Sequence, residues 1–208
     1  MADIVYKNRS TLVTDPIRNF RFLVSFAATD TTKQDIPIAT ATMGFTSVSG
    51  LAVTTDSIPY REGGFNTTVH QIPGQTSFQP ITLQNGVVIG KKEKWNWMRN
   101  MFATVMGGPQ RGLTDGFRCD VTIKILAHPI PKLDATAVAG VNDVAMQFKV
   151  YNAWPTAVAY SDLNAGDNSL FVEQMTLVHE GFDCSWGSFS GDGKTFTAAP
   201  EISTSGGN

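Results

Sequence analysis

The stretch RNFRFLVSF, residues 18–26, sets the character of the fold. Phe20, Phe22, Val24 and Phe26 fall at every second position, the period of a strand with one face on a core and the other in solvent. Downstream, GFTSVSGLAV at 44–53 is rich in β-branched and small residues, and Gly50 interrupts it where a bulge or a close backbone approach fits. Further out, CDVTIKILA at 119–127 sets Val121, Ile123 and Ile125 against Asp120, Thr122 and Lys124. AMQFKV at 145–150 repeats the alternation with Met146, Phe148 and Val150, and LFVEQMTLVH at 170–179 supplies a last strand. The chain is therefore read as mainly β, with two antiparallel sheets forming a barrel or sandwich.

From Asp56 to Ile81 the alternation fades, and Pro59, Gly63, Gly64, Pro73, Gly74 and Pro80 punctuate the chain. A long arm or extended hairpin at about 57–80 fits this better than core. In ITLQNGVVI, 81–89, Asn-Gly between two apolar runs predicts a tight hairpin turn, because both residues tolerate positive φ. KKEKWNWMRNMFATVM, 91–106, spaces Trp95, Met98, Phe102 and Val105 at three and four residues, with Met101 and Met106 beside them. That spacing predicts one flanking helix of about four turns, stopped by Gly107, Gly108 and Pro109. Residues 129–143, rich in Ala, Gly and Pro, read as a loop or small insertion, and the Gly- and Ser-rich stretch 187–208 as a tail that is flexible until assembly. The 208 residues are read as one domain with one good-sized core.

Composition narrows the function. Sixteen Lys and Arg against 18 Asp and Glu give a formal charge of −2, so the chain is not built for wholesale phosphate neutralisation and a sequence-specific nucleic-acid binder is not expected. Charged residues are 16 %, against about 25 % in ordinary soluble domains, which suits a surface covered in contacts. Cys119 and Cys184 lie far apart and follow no metal spacing, so they read as reduced, partly buried thiols. The opening MADIVYKNRS offers no apolar signal segment, and no run reaches 18 apolar residues, so the chain is expected in the cytoplasm until its assembly leaves.

A search for chemistry finds no constellation. His70 lies in the arm and His128 precedes a proline; His179 adjoins Glu180, but neighbouring strand residues point to opposite faces, so a structural role is expected. No serine sits in a nucleophile elbow, and the glycine pairs at Gly63 and Gly107 lack the lysine of phosphate loops. No catalytic residue, cofactor or metal is expected. Trp95, Trp97 and Trp154 offer aromatic faces for bases or sugars. Trp95 shares the helix's apolar face with Met98 and Phe102, and Trp154 reads as a strand end, so packing in a core or subunit interface is the better account.

Three stretches together resemble the tail tube family of contractile phages, which also includes the tubes of extracellular injection systems. FRFLVSF followed by GFTSVSGL is similar to the family's opening strand pair. IPYREGG and HQIPGQTSFQPITLQNG, within 58–86, resemble its arm. YNAWPTAVAYSDLNAGDNSLFVEQMTLVHEGF, 151–182, resembles its Asn-Ala-Trp-Pro element and closing His-Glu-Gly strand. The resemblance spans most of 18–186; the stretch 129–143 and the tail after Trp186 depart from it.

It implies an Hcp-like two-sheet β-barrel with a flanking helix, in rings of six copies stacked into a tube that a contracting sheath drives through an envelope. The partners it implies are further copies of the chain, the sheath, the baseplate and terminator proteins, the tape measure protein and DNA in the lumen, and the host envelope. It implies a place in the virion tail, assembled in the host cytoplasm. Tyr60, Arg61, Glu62, Gly63, Gly64, Pro73 and Gly74 are then the candidate inter-subunit arm, with Arg61 and Glu62 suiting a flexible, charge-paired element that orders on binding. The alternatives are the inner tube of a headless injection particle that carries proteins, and a ligand-binding β-barrel with a concave pocket.

Overall fold

The computed structural model describes residues 16–28, 38, 43–64, 67–106, 117–127, 130–131, 137–139, 143–166, 168–189 and 196–202. Strand β1 (Phe22–Ala28) carries the alternation that opens the sequence, with Val24 and Phe26 turned to the core and Leu23 to solvent. Phe20 lies before the strand and is 67 % exposed, so the inward face begins two residues later than the pattern predicts. β1 pairs with a later strand, Cys119–Leu126, setting Val24 opposite Ile123 and Phe26 opposite Val121.

The framework is one long bent ribbon. A strand of 17 residues, Val144–Tyr160, extends well past the predicted 145–150. Along one side of it run Val172–Val178, against residues 154–160, and then Gly181–Trp186, against residues 146–151. The second of these was not anticipated as a separate strand. In its first half the long strand also pairs with Cys119–Leu126, and beyond Val172–Val178 lie Ile81–Gly86 and then Ser47–Ser49. In chain order these are β2 (Ser47–Ser49), β3 (Val53–Tyr60), β4 (His70–Phe78), β5 (Ile81–Gly86), β6 (Cys119–Leu126), β7 (Ile130–Pro131), β8 (Ala137–Ala139), β9 (Val144–Tyr160), β10 (Val172–Val178) and β11 (Gly181–Trp186). The path β1-β6-β9-β10-β5-β2, with β11 on β9, is antiparallel and does not close among the described strands: it is a sandwich folded across β9, not a sealed barrel.

The fold line lies at Asn152, whose φ of 53° is positive, a conformation that Asn adopts more readily than most residues. Its amide donates to Asp120 Oδ1 at 3.2 Å, and its side-chain nitrogen to Glu180 Oε2 at 2.5 Å; Arg118 holds the other oxygen of Glu180 at 2.8 Å. Trp154, expected at a strand end, instead sits inside β9, edge-on to Phe117 at 6.5 Å. Between the layers lie Phe26, Ile81, Leu83, Val121, Ile123, Val150, Met175 and Leu177, each at most 8 % exposed. Burying such side chains contributes roughly 1.5–3 kcal/mol apiece.

Two sequence expectations fail on competition from tertiary contacts. Asn85 and Gly86 form no hairpin turn; they stand in β5 opposite Glu173 and Val172. The turn comes later, where the Lys91 amide donates to the Val88 carbonyl at 3.1 Å and Gly90 takes φ 86°. The Asn85 side-chain oxygen accepts a bond from Lys94, and that contact with the β10 ladder outweighs the local preference.

The one helix among the described residues, α1 (Glu93–Met106), turns inward a face that shares only Met98 with the predicted one. Lys94, Trp97 and Met98 are buried and Met101 partly so, whereas Trp95, Phe102 and Val105 face solvent. Trp97 is fully enclosed, edge-on to Phe26 at 6.3 Å, with its indole N–H on the Phe117 carbonyl at 2.7 Å. Lys94 takes an inward place because its ammonium meets Glu173 Oε2 at 2.5 Å and lies 5.7 Å from the Phe45 ring centre. A buried lysine with this many partners is satisfied; without them it would not be tolerated.

The carboxyl-terminal stretch includes β12 (Ser188–Phe189) paired with β13 (Phe196–Thr197). Ala199 then donates to the Val144 carbonyl at 2.8 Å, Ser185 to Pro200 at 2.7 Å and Lys149 to Ile202 at 3.3 Å. This segment covers the outer face of β9. Phe148 and Val150 pack on the core as predicted, yet Ala145, Gln147 and Lys149, on the opposite parity, are buried as well. Within 129–143 the described residues form the small β7–β8 ladder. His128 and the predicted helix stop at 107–109 lie outside the described residues.

Candidate assembly surface

The punctuated segment after Val53 is an extended hairpin, as the sequence predicts. β3 and β4 form a two-stranded sheet of their own. Every residue of β3 is exposed, as is all of β4 but Gly74. Ile58 faces Ile72 and Tyr60 faces His70, and Thr54–Ser77 and Thr55–Thr76 hydroxyl pairs, each at 2.9 Å, tie the strands together. Val53, Ile58, Tyr60 and Ile72 are between 42 % and 54 % exposed. A lone two-stranded ribbon is marginal in water, and its two edges present unpaired N–H and C=O groups. Its apolar side chains and edges are thus open to a further contact.

The candidate arm residues fall in two places on this ribbon. Tyr60 ends β3, and Arg61, Glu62, Gly63 and Gly64 follow it into the turn, all exposed. Tyr60 and Glu62, with Thr68, Val69 and His70, line an open hollow of about 260 Å³ at the tip. Pro73 and Gly74 lie midway, where the register slips: Thr55 faces Thr76 but Ser57 faces Pro73, so Gly74 and Gln75 together oppose Asp56. Such a bulge adds twist, and proline there leaves no amide unpaired.

Sequence reasoning missed the root of the hairpin. Gly50 has φ 92°, and a Cβ there would fall 2.0 Å from the Pro80 carbonyl oxygen. This is the close approach expected at that glycine, and only glycine fits. The Gln79 amide donates to Ala52 at 3.0 Å, and the Gln79 carbonyl is 3.0 Å from Nε2 of His179. Phe78 packs against the rings of His179 and Phe182 at 5.9 and 5.5 Å. No local pattern signals this, since the partners are about 100 residues apart.

A second exposed apolar surface lies on α1, where Trp95 and Phe102 meet edge-on at 6.3 Å and Val105 and Met106 are more than 80 % exposed. Among the described residues no group of three or more His, Cys, Asp or Glu side chains is arranged to hold a metal. A cavity of about 90 Å³ beside Lys94, lined by Met43, Gly44, Asn85, Gly86, Val88, Lys91, Glu93 and Glu173, is too small for an organic ligand. Neither hollow is lined by tryptophan. Both cysteines are free, Cys119 buried and Cys184 exposed, and burial followed by the neighbouring Asp120 charge pushes the Cys119 thiol far up.

The geometry agrees with known proteins. The chain matches the family model of the T4-like virus tail tube protein gp19 over residues 18–183. No curated protein matches. Among solved structures, the sheath–tube complex of an extracellular contractile injection system (PVC) aligns at 27 % identity, TM-score 0.58, over 84 % of this chain and 94 % of that one. The sheath/tube terminator of the same system aligns at 28 % identity, TM-score 0.57, over 81 % and 96 %. The tube-terminating cap of the anti-feeding prophage shares the fold, at 24 % identity and TM-score 0.58, over 82 % and 91 %. With the sandwich, its flanking helix and the bare hairpin, the match over residues 18–183 of the 208 makes this chain a structural tube protein of the T4-like virus tail tube family.

Proposed function

We propose that the chain assembles into hexameric rings that stack head to tail into the tail tube of a contractile phage, and that the lumen conducts the genome into the host. The observation that carries this reading is the β3–β4 hairpin: an exposed ribbon with apolar side chains and two open edges, on a chain of the tail tube family. Another copy of the chain is the natural occupant of those edges, by β-pairing or by covering Ile58, Tyr60 and Ile72. Tyr60, Arg61, Glu62, Gly63, Gly64, Pro73 and Gly74 belong to that contact. The sheath, baseplate and terminator proteins are the outer and end partners, and the tape measure protein and DNA occupy the lumen. The tube is assembled in the host cytoplasm, becomes part of the virion tail and crosses the host envelope. The near-neutral charge supports a channel along which DNA slides without sticking. The chain performs no catalysis and needs no cofactor.

A second reading has its own support. Two aligned structures above 25 % identity come from an extracellular contractile injection system, which supports the same tube in a headless particle carrying protein effectors. Particles captured from the producing cell with an antibody to this chain separate the two. Nuclease-protected DNA in tailed virions is expected; capsid-free particles with protein cargo establish the second reading, and recovery of dispersed chain alone overturns both.

A further inference from the structure

We propose that His179 is the positioning residue of the arm: with Gly50 and Phe78 it locks the root of the β3–β4 hairpin, so the arm leaves the sandwich in a fixed direction before any second copy binds. This rests on the reading of the hairpin as the inter-subunit arm, and it replaces the expectation of a flexible element that orders on binding.

The hairpin joins the sandwich by two crossings, at Ala52 and at Gln79, and both are pinned. The Gln79 amide bonds to the Ala52 carbonyl at 3.0 Å, closing the ladder at its base. Across from it the α carbon of Gly50 lies against the Pro80 carbonyl, closely enough that no side chain fits. The third restraint comes from the turn between β10 and β11. His179 is 9 % exposed, and because its contact is a carbonyl, Nε2 carries the proton and donates to Gln79 at 3.0 Å. Phe78, the last residue of β4 and 37 % exposed, meets the His179 ring at 5.9 Å and the Phe182 ring at 5.5 Å, and those two rings meet each other at 6.1 Å, so the end of the arm joins a three-ring cluster of the sandwich. Swivelling the hairpin requires breaking the His179–Gln79 bond and parting three rings. An arm oriented in advance spares the ordering entropy that a mobile one must give up on binding.

Double electron–electron resonance on spin-diluted protein tests this, with one label on exposed Cys184 and one on Gln71→Cys near the arm tip; buried Cys119 stays unlabelled. A narrow distance distribution is expected, broadening in His179→Ala and in Gly50→Ala. His179→Gln, whose amide reaches the same carbonyl, restores the narrow form, which a simple loss of packing would not. A broad distribution in the parent, or a narrow one in His179→Ala, overturns the proposal. Should Gly50→Ala fail to fold, the two His179 variants decide. If the arm-deleted chain still forms rings while the labels report a rigid root, the arm reading fails and the lock stands.

Discussion

Asn152 bends the long ribbon where two partners accept the bend: Asp120 takes its amide and Glu180 its side chain, while Lys149 stands 3.9 Å from the other Asp120 oxygen. The Asp120 and Lys149 side chains are at most 10 % exposed, so removing one strands the other in a poorly solvated place. Asp120→Ala is expected to cost about 3 kcal/mol in urea unfolding, and Asp120→Asn, which keeps an acceptor for the amide, distinctly less. The alternation of β6 was legible from sequence, but this role of Asp120 was not, since a polar residue on the outer parity reads as solvated until Lys149 and the Asn152 amide are seen against it.

The two thiols divide just as sharply. Burial, with Asp120 adding to it, holds the Cys119 thiol protonated far above its ordinary value of 9.0. The native state therefore keeps a proton that the unfolded chain releases, and the stability Cys119 contributes is lost as pH rises above that ordinary value. Alkylation of native protein at neutral pH is expected to modify Cys184 alone, read by intact mass, with Cys119 reacting only in denaturant; equal labelling of both would contradict its burial.

At the level of elements, the helix separates what a pattern can and cannot decide. Its existence and length were legible from the apolar spacing and the breakers beyond Met106, but not its inward face. Trp95 and Trp97 offer two overlapping stripes, and the choice falls to Lys94, whose Glu173 partner lies in a strand 79 residues away. Trp97→Ala is expected to cost about 3–5 kcal/mol, whereas Phe102→Ala on the outer face stays within about 1 kcal/mol; equal costs would restore the predicted face. The Asn-Gly pair failed for the same reason, a distant partner outweighing a local preference. The hairpin was legible because its proline and glycine spacing and its missing alternation belong to it alone. Of its root, the close approach at Gly50 was legible, but not its partner Pro80 or the meeting of Gln79 with His179, which arise only through the fold.

For the whole molecule, most of the strand runs were readable, while the folding of the sandwich across β9 was not. It depends on one bent ribbon and on a carboxyl-terminal segment that lies beyond the family match at residue 183. Truncation before Ser188 is expected to uncover Ala127 and Ala145, now packed under Phe196, and to lower the thermal midpoint by several degrees, seen by circular dichroism.

On this reading a folded sandwich polymerises through its hairpin. This is tested most directly by negative-stain electron microscopy of the full chain beside one lacking Ser57–Gln75, both with native-like circular dichroism. Six-fold rings or stacked tubes with a central channel are expected from the full chain and dispersed monomers from the deletion. Identical tubes from the deletion, or a full chain that stays monomeric even when produced together with its baseplate proteins, would contradict it.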